Sequence, residues 1–428
     1  MKKAPVLTYC ILVTALLLTS LSGCGKGGDG SARAATGEAT APSDVTIRTI
    51  RVATTFTGDD PYKNIWQQVL KDFAAEHPEI NVIDEATSAG GDAFKIKINT
   101  DFASGNEPDV TYGFNGALGK PLVDSGKVID WENELKAAPE WAANFKQDTL
   151  ETCKYEGKLY ALPFLGFFEG MWVNKDIFDK YELGIPKTYD DMLMTIPVLR
   201  SHGITPIACA FSDEPHYIIE TFILAAGGSQ GNSNLFDPSW AQALELIKEL
   251  YEKNAFTNDA LTIKQGKCAE LFADKKAAMF ISGSWTRGDI KDHENTIVIP
   301  LPAVTGGKAD PTDIIGGAGT GWYLAGELNE KKDGAGMTFI KYMTRPEVVA
   351  KFAEVAGVPL ISCDVKAKTP LDQSCLDLMN NASSIKGAVG DVLGQEVFGS
   401  IWHGLSSVVT GKASAQQVID NAKQLYYR

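Results

Sequence analysis

Residues 155–176, YEGKLYALPFLGFFEGMWVNKD, place Pro163 between two apolar, strand-like runs at residues 158–162 and 170–174. A proline favours an extended or turning backbone and ends a helix, so this stretch is not one continuous helix. Aromatic side chains and one carboxylate cluster around the turn: Phe164, Phe167, Phe168, Glu169 and Trp172. We interpret the stretch as a change of domain. Its aromatic residues are candidates for ligand contact, with a place in the core as the alternative.

The length and charge of the chain limit the classes of protein to which it can belong. A chain of 428 residues is too long for one ordinary domain and suits two. A formal net charge of −14 argues against binding nucleic acid, and against binding anionic lipid through a basic face. We therefore expect a globular protein of two domains with no nucleic-acid partner.

The N-terminus has the pattern of a bacterial lipoprotein signal. A basic start and an apolar run at residues 6–19, too short for a comfortable bilayer span, lead through Leu-Ser-Gly to Cys24. This resembles a signal in which residues 1–23 are removed and Cys24 becomes the lipidated first residue; an ordinary cleaved signal peptide is the alternative. Residues 24–43, rich in Gly, Ala, Thr and Ser, predict a flexible tether. No later stretch predicts a transmembrane helix.

The periodicity after the tether predicts a parallel α/β unit. Strand, helix and strand are predicted in turn at residues 46–53, 61–77 and 80–83. Ligand-binding loops of such sheets gather at the carboxyl ends of the strands. The loop TTFTGDD follows the first strand and makes Asp59 and Asp60 ligand candidates, with helix capping as the alternative. A third strand follows the turn SGNEPDV, which Asp109 is expected to support, and brings Tyr112 and Asn115 to its end.

Two later stretches place a tryptophan beside glycines. In FADKKAAMFISGSWTR, a strand at residues 277–281 leads through Gly283 to Trp285. In GGAGTGWYLAG, a glycine cluster precedes a strand that carries Trp322, and Gly317 lies in that cluster. The second stretch does not fit the nucleotide motif GxGxxG, because tryptophan stands where the third glycine belongs. Both glycines would allow a close approach to a ligand.

Motifs of common enzymes and metal sites are missing from the sequence. It contains no GxxxxGK[ST], HExxH, EF-hand loop or GxSxG, and its five histidines are scattered singly. We therefore predict no cofactor, no metal site and no catalytic residue. A carbohydrate-active enzyme using Glu169 with Asp59 or Asp109 is a lesser alternative. Cys363 and Cys375 are the candidate pair for a disulfide, because they are close in sequence.

The order of these motifs resembles the extracellular solute-binding protein family 1, the sugar-binding lipoproteins of ABC importers such as the maltose- and multiple-sugar-binding proteins. The matching parts are the crossing at Pro163, the stretch ending in Trp285, the return TIVIPLP at residues 296–302, and Val358-Pro359. The resemblance implies an α/β, two-lobed, type II periplasmic-binding-protein-like fold. Each lobe would be a mostly parallel sheet flanked by helices, and three interdomain crossings would join the lobes.

The resemblance also implies domain boundaries and a function. Residues 44–162 with 302–350 would form the N-terminal lobe, and residues 163–301 with 351–428 the C-terminal lobe. The protein would be a monomer held by lipid at the outer face of the bacterial cell membrane. It would capture a sugar, such as an oligosaccharide, by hinge closure and deliver it to ABC permease subunits. A polyol, a polyamine or a phosphorylated compound are the alternative ligands, although the candidate loops lack the clustered basic residues that a phosphate requires.

Sugar binding defines the candidate site residues. The apolar face of a pyranose packs on aromatic rings, while its hydroxyls need hydrogen-bond partners, and ionised carboxylates accept the stronger bonds. The candidate ligand-binding residues are Trp285, Trp322, Phe167, Glu169, Asp59, Asp60, Tyr112, Asn115, His216, Phe398 and Trp402. Of these, Trp285 and Trp322 are expected to approach one cleft from opposite lobes.

Overall fold

A computed structural model describes residues 46–88, 92–211 and 214–428. The predicted signal, Cys24 and the tether lie outside these residues. Within the described part of the chain, no helix is long and apolar enough to cross a membrane.

Strands and helices alternate along the chain. The strands are β1 Arg48–Ala53, β2 Ile80–Asp84, β3 Val110–Phe114, β4 Leu162–Pro163, β5 Leu165–Asn174, β6 Thr205–Ala208, β7 Ala277–Gly283, β8 Thr296–Ile299, β9 Ile314–Gly317, β10 Thr320–Leu324, β11 Val358–Pro359 and β12 Ile385–Lys386. The helices are α1 Lys63–Glu76, α2 Ala93–Ser104, α3 Gly116–Asp124, α4 Trp131–Ala137, α5 Pro139–Ala142, α6 Gln147–Thr152, α7 Lys175–Lys180, α8 Tyr189–Ser201, α9 His216–Ser233, α10 Ser239–Glu252, α11 Gln265–Ala273, α12 Gly326–Lys331, α13 Ala335–Met343, α14 Pro346–Ala353, α15 Pro370–Asn380, α16 Val389–Val409 and α17 Ala415–Tyr426. A 3₁₀ helix spans Ser284–Asp289.

The first sheet has the strand order β2-β1-β3-β10-β4. Strand β1 runs parallel to β2 and β3, so the predicted strand-helix-strand start is confirmed. Asp109 supports the turn before β3 as expected, because its carboxylate accepts the Arg51 N–H at 2.7 Å and lies 2.7 Å from Lys332 Nζ. Strand β10 is antiparallel to β3 and β4.

The second sheet has the order β12-β9-β5-β7-β6, with β8 and β11 also paired to β5. Strand β5 runs antiparallel to β7, β8, β9 and β11. Among the described strands, β10 in the first sheet and β5 in the second run against the others, so both sheets are mostly parallel, as predicted. These two strands are reversed because each follows a crossing between the sheets and enters its sheet from the end at which the parallel strands finish.

The three crossings follow from the membership of the sheets. The first is where the sequence predicts it, because β4 ends at Pro163 in one sheet and β5 begins in the other. The return is predicted near Pro302, but β8 and β9 both pair with β5, and the chain rejoins the first sheet only at Thr320. Placing residues 302–317 with the first sheet is therefore wrong. The third crossing lies after α14, where β11 pairs with the start of β5.

Each sheet buries its own core, as packed layers of α/β structure must. Trp66, Trp322 and Phe352 belong to the core beside the first sheet, and Phe222 and Trp240 to a core beside the second. Capping boxes begin α8, from Thr188 and Asp191, and α17, from Ser414 and Gln417. The expected disulfide is absent, since Cys363 and Cys375 are both free thiols.

Candidate functional site

Three aromatic rings from elements of the second sheet pack together. Phe167 lies near the start of β5, Trp285 in the 3₁₀ helix after β7, and Tyr217 in the first turn of α9. The Trp285 ring centroid is 6.3 Å from that of Phe167 and 5.3 Å from that of Tyr217. Phe167 and Trp285 are half-buried, and Tyr217 is buried. The group therefore leaves part of an aromatic surface uncovered, as a platform for a flat apolar ligand face requires.

Glycines fix the two platform rings. A Cβ atom on Gly283 would lie 2.1 Å from Cη2 of Trp285, so the indole can fold back over the end of β7 only because no side chain is present there. A Cβ atom on Gly319 would lie 2.9 Å from Cε1 of Phe167. Gly317 has a different role, because its φ of +130° is a conformation that favours glycine.

Three carboxyl groups lie in the same region. Glu169 on β5 and Glu220 on α9 are 3% and 1% exposed and hydrogen-bond each other. Glu220 also accepts the Gly390 N–H at 3.0 Å. Burial raises the pKa of Glu169 and of Glu220, and the charge of Glu220 raises the pKa of Glu169 further, so the pair holds a proton at neutral pH. Asp391 is the third carboxyl, and burial raises its pKa to about 7.

Elements of the first sheet meet this region through α2 and α3. Asp92 accepts a hydrogen bond from the Gln395 side chain of α16, and a Cβ atom on Gly116 would lie 3.0 Å from the Asp391 carbonyl oxygen. Lys95 Nζ lies 3.0 Å from Asp92 Oδ1. The carboxyl groups thus lie where the helices of the two sheets come into contact.

His216 and Trp402 extend the same region. Their ring centroids are 5.4 Å apart, and His216 is 3.9 Å from the ring of Tyr217. Burial, with the nearby Lys95 charge, lowers the pKa of His216 to about 3, so its imidazole is neutral. Within the part of the chain that the structure describes, His216 Nδ1 and Trp402 Nε1 have no hydrogen-bond partner. They are groups that could bond to a polar solute.

The structure corrects three of the candidate residues. Trp322 is fully buried, with its ring centroid 4.8 Å from that of Tyr112, because β10 is an inner strand whose indole packs into the core. Tyr112 is also buried, and its hydroxyl accepts a hydrogen bond from Thr320 Oγ1 at 2.7 Å. Phe398 is 6% exposed and belongs to the core beside the second sheet. All three side chains pack in a core in this structure.

Three other candidates have local contacts of their own. Asn115 is buried and caps α3, accepting the Gly116 N–H at 2.9 Å. Asp60 accepts the Tyr62 N–H at 2.8 Å just before α1. Burial, with the charge of Asp289, raises the pKa of Asp60 to about 7. Asp59 is exposed nearby, where the loop meets the 3₁₀ helix that carries Trp285.

Sequence reasoning missed Tyr217, Glu220, Asp391 and Lys95. One signal was available for Glu220: it is the single charged residue in the apolar run YIIETFILAA of α9. A buried charge on an otherwise apolar helix indicates a polar site. Asp391 likewise stands alone in the apolar run AVGDVLG, whereas the sequence surroundings of Lys95, next to Ile96 and Lys97, do not distinguish it.

Comparisons with known proteins show the family and the fold of the chain. The sequence profile of the bacterial extracellular solute-binding proteins matches residues 59–350, and the chain belongs to that family. It is 23% identical to the melibiose/raffinose/stachyose-binding protein MelE of Bacillus subtilis, over 76% of this chain and 77% of that protein. It is 22% identical to the multiple sugar-binding protein of Streptococcus mutans, over 69% and 71%. A solved chitin oligosaccharide binding protein has the same fold, with a TM-score of 0.77, 22% identity, and coverage of 88% and 98%.

Proposed function

We propose that the chain is the substrate-binding protein of an ABC importer and captures a sugar, such as an oligosaccharide, between two lobes. The observation that supports this best is the half-buried pair of rings, Phe167 and Trp285, beside polar groups that lack partners among the described residues. Rings would stack on the apolar face of a pyranose, and His216 and Trp402 would bond its hydroxyls. The sugars named for the relatives support the same class of ligand. The protein would bind its solute without converting it.

Each sheet would form one lobe, and the crossings would form the hinge. The first crossing is at Pro163, the second falls at residues 318–319, and the third lies between α14 and α15. A solute favours the closed form only through contacts that are better made there. The contact between Asp92 and Gln395 is one that joins helices of the two lobes.

The remaining parts of the proposal concern location and delivery. Cys24 would anchor the protein by lipid to the outer face of the cell membrane, and the closed form would deliver its sugar to a permease encoded elsewhere. Replacing Cys24 by serine should leave the protein unlipidated and uncut by the lipoprotein pathway, as mass spectrometry of the membrane fraction would show. Wild-type protein that carries no lipid and is cut as an ordinary secreted protein would contradict the lipid anchor, but not the proposed sugar binding.

Calorimetric titration with raffinose, maltotriose and a chitin oligosaccharide tests the ligand class. We expect at least one to bind, and Trp285→Ala to weaken its binding by about tenfold or more through the loss of ring stacking. Tyr427→Ala is the matched control, because Tyr427 is an exposed aromatic at the C-terminus. Full affinity in Trp285→Ala would overturn the role of Trp285 as a stacking platform. The failure of every saccharide to bind would overturn the proposed sugar-binding function.

A further inference from the structure

Three carboxyl groups interact with one another in the site. Glu169, Glu220 and Asp391 lie on one side of it, and among the residues that the structure describes the buried Oε2 atoms of Glu169 and Glu220 have no partner apart from the proton that the two groups share. Lys95 is the basic side chain nearby, and its ammonium group is paired with Asp92 at 3.0 Å. The charge of Lys95 also acts on Glu220 and Asp391, so this one ammonium group is shared among them and Asp92.

Burial of these groups has a physical consequence. A buried carboxylate that lacks a partner is costly, so the group stays protonated or acquires a cation. Burial accordingly raises the pKa of Asp391 to about 7. A solute with a positive charge would satisfy the carboxylates directly, and the faces of Phe167 and Trp285 would also attract it.

An ammonium group fits this arrangement better than a hydroxyl group does. It donates three hydrogen bonds and accepts none, which matches ionised carboxylates, and its charge would displace the proton that Glu169 and Glu220 share. A hydroxyl group carries no charge, so the pair would keep its proton and offer fewer acceptors. Phe167 and Glu169 are two residues apart on β5 and share one face of the strand, so one solute can contact both the ring and the carboxyl group.

Resting on the proposed function, we infer that the site takes a solute whose ring carries a protonated amine, such as an oligomer of an amino sugar, and seats the ammonium group among Glu169, Glu220 and Asp391. The shared chemistry is the ammonium group, which a linear polyamine also offers. The experiment must therefore separate a charged sugar from a polyamine.

Calorimetric titration with four probes makes this separation. They are a glucosamine oligomer, its N-acetylated counterpart of equal length, a neutral glucose oligomer, and spermidine. We expect the glucosamine oligomer to bind about tenfold to a hundredfold more tightly than the N-acetylated one, since acetylation removes the charge and two donors. Equal or tighter binding of an uncharged oligomer would overturn the inference and leave the sugar function intact.

Variants of the carboxyl groups give the second arm. Glu220→Gln and Asp391→Asn keep the side-chain shape, and each should weaken the binding of the glucosamine oligomer by about tenfold or more. Glu294→Gln is the matched control, because Glu294 has an exposed carboxyl group. Asp391 is half-buried, so its variant keeps the test open if the Glu220 variant does not fold. Unchanged affinity in both folded variants would overturn the inference.

The remaining outcomes separate the two proposals. Tight binding of spermidine with no binding of any saccharide would support the ammonium site and overturn the sugar function. The failure of all four probes to bind would overturn the inference, and the titrations with raffinose, maltotriose and a chitin oligosaccharide would still decide the sugar function.

Discussion

Trp322→Ala removes the ring at the centre of the first core. Its centroid lies 4.8 to 6.5 Å from those of four rings: Tyr112, Phe164, Phe339 and Trp66. A buried tryptophan removes about 150–250 Å² from water, which at about 25 cal/mol per Å² amounts to about 4–6 kcal/mol. Measured losses for such truncations are about 3–5 kcal/mol. We expect the free energy of unfolding to fall by about 4 kcal/mol.

Urea unfolding followed by far-UV circular dichroism measures this loss. Trp285→Ala serves as the comparison. Removing its half-buried ring should lower the free energy of unfolding by about 1–2 kcal/mol and should remove the stacking on the solute. For Trp322→Ala we expect the opposite. Its stability should fall most, and the protein that remains folded should keep its affinity for the solute. A Trp322→Ala protein that unfolds at the wild-type urea concentration, yet no longer binds solute, would refute the assignment of this residue to the core.

Two further results are expected. Gly283→Ala should weaken solute binding by about tenfold in calorimetry, because its Cβ would displace the ring of Trp285, whereas Gly266→Ala, with open space around it, should bind as the wild type does. Burial, with the charge of Asp289, raises the pKa of Asp60 to about 7, so the folded protein loses stability as the pH rises from about 4 through 7. Asp60→Asn should then unfold at a higher temperature than the wild type at about pH 8, by about 1 kcal/mol of stability, and at the same temperature at about pH 4. A constant difference between the two proteins across this range would contradict the second expectation.

The parts of the fold predicted from sequence depend on local chemistry. A serine or threonine three residues before an acidic or amide residue marks a helix start wherever it occurs, and Thr188 and Ser414 both begin helices. Pro163 marks the first crossing for a similar reason, because its effect on the backbone needs no distant partner. Gly283 beside Trp285 is a local signal of the same kind.

The predictions that failed concern features that depend on which strands become neighbours. Trp322 and Trp285 both follow glycines, and only the pairing of β10 between β3 and β4 shows that the first is a core residue. TIVIPLP resembles a crossing segment and predicts a return at Pro302, but its first four residues form β8 and pair with β5. Glu169 and Glu220 are far apart in sequence, so their shared proton follows from the packing of α9 on β5.

The distribution of the site residues indicates an order of events in binding. The aromatic platform and the three carboxyl groups all come from β5, the 3₁₀ helix, α9 and α16, which belong to the second lobe. The first lobe reaches the same place through Lys95, Asp92 and Gly116. In the proposed function, a solute would make its stacking and charged contacts on one lobe alone. The other lobe would then cover it by hinge closure, and contacts such as that between Asp92 and Gln395 would contribute mainly to how slowly the solute leaves.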